Sequence, residues 1–240
     1  MKAALCVRAA FFDLQRHLPY RIYITFWGGY FMARDKNIKA YDKQADALAR
    51  RYDGVQTPEI IPAFTQRVLA LDTKAGHKAL DIGCGSGRDA SWIARQGFDV
   101  VACDGAAQMI KRAAQNNAHA RIRYLVDDAP ALNKISGLKE EFNVILLNAF
   151  IFHMDYRPPH DALSLLFHKV SALAAPSAFI FTNLRHGPVP EGRQMFDIPL
   201  AHIEQLASQH SLQFEYLGRS PDGLERADVS WDNIALYAPP

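Results

Sequence analysis

The stretch that decides the fold is "ALDIGCGSGRDA", residues 79–90. With Lys78 before it, "KALDI" has the length and apolar character of a buried strand, ending at Asp81. Three glycines at alternate positions follow, Gly83, Gly85 and Gly87, and then a helix-compatible run opens at Arg88. Glycine turns between a strand and a helix usually cradle phosphate on free backbone N–H groups at the helix N-terminus. Dinucleotide folds use G-x-G-x-x-G for this purpose. Here the spacing is G-x-G-x-G, one residue tighter, and a carboxylate stands directly before it. Asp81 would repel a pyrophosphate and suits an ammonium group.

Outward from this turn the chain alternates between strand and helix. "FDVVACD" is a second strand ending at Asp104, "RIRYLVDD" a third ending at Asp127 and Asp128, and "NVILLN" a fourth ending at Asn148. The fourth is apolar without alternation, as expected of a strand covered on both faces. "SAFIFTNL" is a fifth strand. Residues 88–96, 106–117, 160–173 and 200–208 read as the intervening helices. "LQFEYLGR" and "DNIALYA" have no helix between them and are expected to pair antiparallel at one edge. The pattern predicts a doubly wound α/β fold with a mostly parallel sheet and helices on both faces. Ligands of such sheets bind at the C-terminal strand ends, where the strand order reverses. Four successive strands end there in an acid or an amide.

Asp104 lies about twenty residues beyond the turn, the position from which an acid accepts hydrogen bonds from ribose hydroxyls. A ribose, an ammonium group and no phosphate together describe S-adenosyl-L-methionine. The run "ALDIGCGSGRDASWIARQGFDVVACDGAAQMIKRA" resembles the cofactor-binding region of the Rossmann-like (class I) S-adenosylmethionine-dependent methyltransferases, of the small-molecule type. The resemblance extends from about Tyr41 to the C-terminus. It implies a seven-stranded sheet with the last strand antiparallel. By position it places Asp81 near the cofactor's amino group, the backbone of Gly83 and Gly85 by the methionine tail, Asp104 on the ribose, and Gly105 and Ala106 beside the adenine. Asp127 or Asp128 would meet the adenine amino group, with Asp127 favoured and the other left as a helix cap. Gly87 and Asn148 complete the cofactor set. The preceding helix, "AYDKQADALARRYD", resembles a cofactor lid. Tyr41, Ala45, Leu48 and Tyr52 share one of its faces, and Tyr41 and Tyr52 are placed toward the ligand.

Methyl transfer asks the protein mainly to align and desolvate the acceptor, with a base needed only if a proton must leave. After the fourth strand the chain reads "NAFIFHMDYRPPH". Methyltransferases of nucleic-acid or protein amino groups show Pro-Pro and an aromatic directly after the Asn or Asp; here Ala149-Phe150 follow instead. His153 is the candidate base, against the reading of a structural histidine at the strand–helix junction. Arg185, His186 and Arg193 surround the fifth strand's end and mark an acidic or phosphate-bearing acceptor, unless the arginines pair with Asp197, Asp222 or Glu225 to fix a lid. The loop "GLERADVSW" stands near the same rim with no readable chemistry.

The bulk composition sets limits. A 49% hydrophobic share in 240 residues supports one large core. A formal net charge of +2 lacks the basic surplus of nucleic-acid or membrane-surface binders. Cys6, Cys84 and Cys103 form no C-x-x-C pair, so neither a zinc site nor a disulfide framework is expected, and a cytoplasmic setting fits. No apolar run is long enough to span a bilayer. Residues 1–31 are aromatic-rich and broken by Arg8, Asp13, Arg16 and Arg21, unlike a secretory signal. They are expected to be an extension, upstream-translated or disordered, with Met32 as the natural start. A helical lid over 37–75 and a core over 76–240 follow, with Thr57 as N-cap and Pro58 as first residue of the lid's second helix. Nothing in the sequence sets the oligomeric state. A nucleic-acid or protein methyltransferase, and a non-catalytic module that binds S-adenosylmethionine, are the competing functions.

Overall fold

The computed structural model describes residues 23–71, 76–158 and 161–240. Helix α1 (Tyr23–Asp53) leads through two short helices, α2 (Thr57–Ile60) and α3 (Pro62–Leu69), into the sheet. Strands β1 (Lys78–Ile82), β2 (Asp99–Asp104), β3 (Ile122–Val126) and β4 (Phe142–Leu147) then alternate with α4 (Arg88–Arg95), α5 (Ala107–Asn116) and α6 (Asn133–Gly137). A 3-10 turn (Ile151–His153) and α7 (Ala162–Leu173) precede β5 (Ala174–His186). Helix α8 (Leu200–Gln209) precedes the hairpin of β6 (Gln213–Pro221) and β7 (Ser230–Tyr237).

The sheet has seven strands in the order β3-β2-β1-β4-β5-β7-β6. Strands β1 to β5 pair in parallel, and β7 runs antiparallel between β5 and β6. This is the seven-stranded, doubly wound sheet that the alternation of elements predicted. The order reverses between β1 and β4, which opens the ligand crevice above their C-terminal ends.

Period-two geometry sorts each central strand between two cores. Leu80 and Ile82 of β1, Ile145 and Leu147 of β4 and Ile180 of β5 face α7 and α8. Ala79, Val144, Leu146, Phe179 and Phe181 face α3 and α4, where Phe64 packs between Trp92, Phe179 and Phe181. Burial on both sides explains why β4 reads as unbroken apolar sequence.

Several boundaries differ from the sequence reading. Helix α1 is continuous from Tyr23, so the first part of the expected extension lies outside the described residues while 23–31 continue the lid helix. Thr57 is not an N-cap. Gln56 takes that place with a capping box to Glu59, and Thr57 turns inward to donate to Asp89 Oδ1 at 2.8 Å. A break at Ile61-Pro62 divides the expected second helix, and the apolar face of α3 joins the core through Ile61, Phe64 and Val68. Of the expected lid, α1 covers the crevice and α2 adds Ile60 to its wall. Helix α1 seats Ala45 and Leu48, flanked by Ile38, Tyr41 and Tyr52, on Ala106 and Met109.

Candidate active site

One deep cavity opens at the C-terminal ends of β1, β2 and β4, under α1. Its floor is the glycine turn. Gly83 and Gly85 have φ of +72° and +55°, a region where side chains are strained, and both line the cavity. A Cβ at Gly83 would lie 2.2 Å from Phe150 Cδ2, so the aromatic ring and the bare backbone define each other. Gly87 has φ +80°, but its missing side chain makes room for the Tyr124 hydroxyl, from which a Cβ would stand only 2.4 Å away, and it stays off the cavity wall. Its expected place beside the cofactor is therefore corrected: Gly87 serves the packing of α4 on β3.

Asp81 is 2% exposed and lies beneath the wall rather than on it. Burial, with Asp89 close by, pushes its carboxyl well above the usual range, and its Oδ2 has no hydrogen-bond partner. Asp104 stands on the wall. Its Oδ2 accepts from Gly85 N–H at 3.1 Å and its Oδ1 from Ala106 N–H at 2.8 Å. Each oxygen keeps a second lone pair directed elsewhere. Burial raises Asp104 to about 6, partly offset by those two backbone donors. Gly105 and Ala106 also line the cavity, with Ile38 of the lid packed on Gly105.

Asp127 and Asp128 both reach the wall. Asp127 is the helix-capping one, accepting from Asp128 N–H at 3.0 Å and from Ile135 N–H at 2.9 Å. Asn148 lines the cavity but its amide is engaged at both ends. Its Nδ2 donates to Asp89 at 2.9 Å and its Oδ1 accepts from Asn183 at 2.8 Å. Asp89 also takes a bidentate Arg88 at 2.8 and 2.9 Å and the Thr57 hydroxyl. Burial alone would raise the Asp89 carboxyl; Arg88, Asn148 and Thr57 bring it below the usual range. This buried knot ties α2, α4 and β4 together under the ligand floor.

Elsewhere on the cavity wall, Tyr41 from α1 meets His153 from the 3-10 turn. The Tyr41 hydroxyl lies 3.2 Å from His153 Nε2, with the rings edge to face. His153 Nδ1 lies 3.1 Å from the Gln194 carbonyl. A carbonyl only accepts, so Nδ1 carries the hydrogen and Nε2 receives the Tyr41 O–H. Asn37 holds the same loop through both amide atoms, to Gln194 O at 2.9 Å and from Gln194 N at 2.8 Å. Burial lowers His153 to about 4, and Arg193 and Arg185 act in the same direction. The imidazole is therefore neutral at pH 7, and its basic nitrogen meets the Tyr41 hydroxyl. Burial pushes the Tyr41 phenol far above its ordinary value.

Tyr52, Arg185 and Arg193 also line the cavity. His186 does not. Its Nε2 turns toward the β6–β7 hairpin and sits 2.8 Å from Asp232 Oδ2, which Arg219 also holds. Alternation along β5 sends neighbouring Arg185 and His186 to opposite sides, and this corrects the substrate assignment of His186. Neither Arg185 nor Arg193 pairs with Asp197, Asp222 or Glu225.

The "GLERADVSW" loop, placed near this rim by the sequence but without readable chemistry, reaches the cavity between β6 and β7. Asp222, Gly223, Leu224, Arg226 and Trp231 reach the cavity wall. Arg226 grips Asp222 at 2.7 Å through two nitrogens, and Trp231 Nε1 donates to the same carboxylate at 2.9 Å. Gly223 fits because α2 passes close by; a Cβ there would meet Ile60 Cα at 3.2 Å. Among the described residues no group of three or more His, Cys, Asp or Glu side chains is placed to hold a metal, and no helix is long and apolar enough to cross a membrane.

Residues 79–172 match a family model described as a methyltransferase domain. The chain has the class I methyltransferase fold. Among solved structures, Haemonchus contortus phosphoethanolamine N-methyltransferase 2, in complex with phosphomonomethylethanolamine and S-adenosylhomocysteine, superposes with a TM-score of 0.55 at 19% identity, over 74% of this chain and 52% of that one. The [4+2]-cyclase SpnF superposes with a TM-score of 0.59 at 12% identity, over 84% and 94% of the two chains. A curated relative, the 23S rRNA (uracil(1939)-C(5))-methyltransferase RlmD of Pseudomonas fluorescens, is 31% identical over 109 residues, covering 44% of this chain and 22% of its own length. The chain thus spans about a fifth of that relative and about half of the Haemonchus enzyme. The residues matched by the family model include the glycine turn, Asp104 and His153. Tyr41, Arg185 and Arg193 lie outside them.

Proposed function

We propose that this chain is an S-adenosylmethionine-dependent methyltransferase acting on a small-molecule acceptor. The observation that carries the reading is Asp104. It is fixed by two backbone donors, keeps one lone pair on each oxygen for a pair of ribose hydroxyls, and stands beside an open glycine turn that offers no phosphate cradle. The unpartnered Asp81 Oδ2 beneath that turn leaves a hydrogen-bonding position open where the amino group of an amino-acid tail would lie. When bound, the cofactor supplies an electrophilic methyl group on a sulfonium.

The chain's own residues then position and shield. Helix α1 lays Ile38, Tyr41 and Tyr52 over the crevice and excludes water. Phe150, Phe152 and Met154, contributed by the turn after β4, supply an apolar wall. Where the acceptor must lose a proton, the Tyr41 oxygen receives it as the Tyr41 hydrogen passes to His153 Nε2. His153 Nδ1–H, held by the Gln194 carbonyl, keeps the ring in the required tautomer. The cover of helix α1 and the loops after β5 and β6 over the cavity favours a small acceptor over a polymer.

Calorimetry with S-adenosylhomocysteine and with NAD tests the cofactor, and tight NAD binding without S-adenosylhomocysteine binding would refute it. Transfer of label from the methyl-labelled cofactor to fractionated cell extract tests the acceptor. Label in small metabolites supports the proposal. Label in RNA would favour the chemistry of the RlmD relative. Absence of label everywhere would reduce the chain to a binding module, or to a different chemistry on the same fold, as the cyclase SpnF illustrates.

A further inference from the structure

Four guanidinium groups line the cavity: Arg88, Arg185, Arg193 and Arg226. Two are neutralised. Arg88 is bidentate on Asp89 and Arg226 is bidentate on Asp222. The other two meet no carboxylate among the described residues. Arg185 donates to the carbonyls of Gly187 at 3.0 Å and Pro188 at 2.9 Å. Arg193 lies over the Tyr41 ring, 4.3 Å from its centroid, and donates to the Tyr41 hydroxyl at 3.3 Å.

Carbonyls and an aromatic face orient a guanidinium without cancelling its charge. Each of these side chains still has N–H groups beyond the ones used, out of five per guanidinium. Both groups act electrostatically on His153 and on Tyr41, so they converge on the acceptor end of the cavity. The cavity's carboxylates lie elsewhere: Asp104 is held by backbone N–H groups near the ribose position, Asp127 by the N-terminus of α6, Asp89 and Asp222 by their own arginines, and Asp128 stands beside Gly105 at the end of β3. Two half-buried, pre-oriented cations without a carboxylate in contact, with Asp222 and Asp228 acting on Arg185 only from a distance, leave this end of the cavity suited to an anion.

We propose that Arg185 and Arg193 form an oxyanion subsite, and that the methyl acceptor is a small molecule carrying a carboxylate or phosphate group. This rests on the methyltransferase reading of the same cavity. The anion docks between the two guanidiniums, and Trp231, Phe152, Met154 and Leu224 cover the remainder of the acceptor. Burial together with Arg226 depresses the basicity of Arg185, a penalty that a bound oxyanion would relieve. Planar, fork-shaped donors held by carbonyls are suited to two-point recognition of such a group.

The test uses the full chain saturated with S-adenosylhomocysteine and titrated, in separate arms, with inorganic phosphate and with acetate, followed by calorimetry and thermal shift. Saturable binding of at least one anion is expected, and the stronger arm identifies the class. Arg185→Gln and Arg193→Gln should each weaken that binding at least tenfold, while Arg185→Lys, which keeps the charge, should lose less. Affinity for S-adenosylhomocysteine should stay within about threefold in every variant, which also shows that the variants fold. Absence of saturable anion binding in the parent chain, or binding unchanged in both Gln variants, overturns the subsite. Failure of S-adenosylhomocysteine to bind the parent chain is a separate result and refutes the cofactor reading instead.

Discussion

The Tyr41 hydroxyl donates to His153 Nε2 across 3.2 Å, joining the lid helix to the turn after β4. The two residues are 112 positions apart, and the bond ties α1 to the wall of the crevice.

If the pair relays a proton, Tyr41→Phe and His153→Ala should each lower kcat about a hundredfold, within the usual contribution of acid–base groups. Affinity for S-adenosylhomocysteine should change little. The double variant should be no worse than the weaker single one, because the two act as a unit. Since His153 stays neutral above about pH 4, its protonation should not produce a loss of kcat between pH 5 and 8. Steady-state kinetics across that range check the three statements about kcat, calorimetry checks the affinity, and additive losses would separate the residues.

Cofactor affinity should depend on pH through Asp104. Its folded-state value of about 6 lies above the ordinary carboxylate range, so acidification below 6 favours the empty folded protein while removing the charge that accepts ribose hydroxyls. The Kd for S-adenosylhomocysteine should be flat between pH 7 and 8 and weaken toward about tenfold per pH unit below 6. Asp104→Asn should bind more weakly and lose the pH dependence. Calorimetry at five pH values decides it.

Gly83→Ala should abolish cofactor binding with a moderate loss of stability. The substitution puts a Cβ into the Phe150 ring at φ +72°, a conformation that costs an L-residue roughly 1–2 kcal/mol before any clash. Gly87→Ala is the contrasting case. Its Cβ strikes Tyr124, so it should lower the Tm comparably, and the residual folded protein should still bind S-adenosylhomocysteine. Equal loss of binding in both would place Gly87 in the site after all.

Asp89→Ala should be among the most destabilising changes in the chain. It strands the Arg88 guanidinium, only 15% exposed, and frees the Thr57 hydroxyl and the Asn148 amide at once. Breaking such a buried pair costs about 3–5 kcal/mol, or roughly 10 °C in Tm for a domain of this size. A thermal melt that shifts by less than about 3 °C would show the knot to be dispensable.

The local pattern of the chain carried the strands, their alternation with helices, the glycine turn and the row of rim residues from Asp104 to Asn148. These follow from period-two and period-3.6 burial and from backbone conformations that only glycine adopts at low cost, all of which are written over a few consecutive residues. The face of α1 that meets the core was legible for the same reason. Which side chain faces the cavity was decided in three dimensions. Asp81 sank beneath the floor, Gly87 gave its space to Tyr124, and His186 turned away to Asp232 because the pleat sends it opposite Arg185. Asp222, Arg226 and Trp231 joined the wall only because β7 inserts between β5 and β6 and carries their loop to the crevice. Local sequence determines what each residue prefers over one turn or one strand. Pairings between residues more than a hundred positions apart, such as Tyr41 with His153, arise from packing that no local preference encodes.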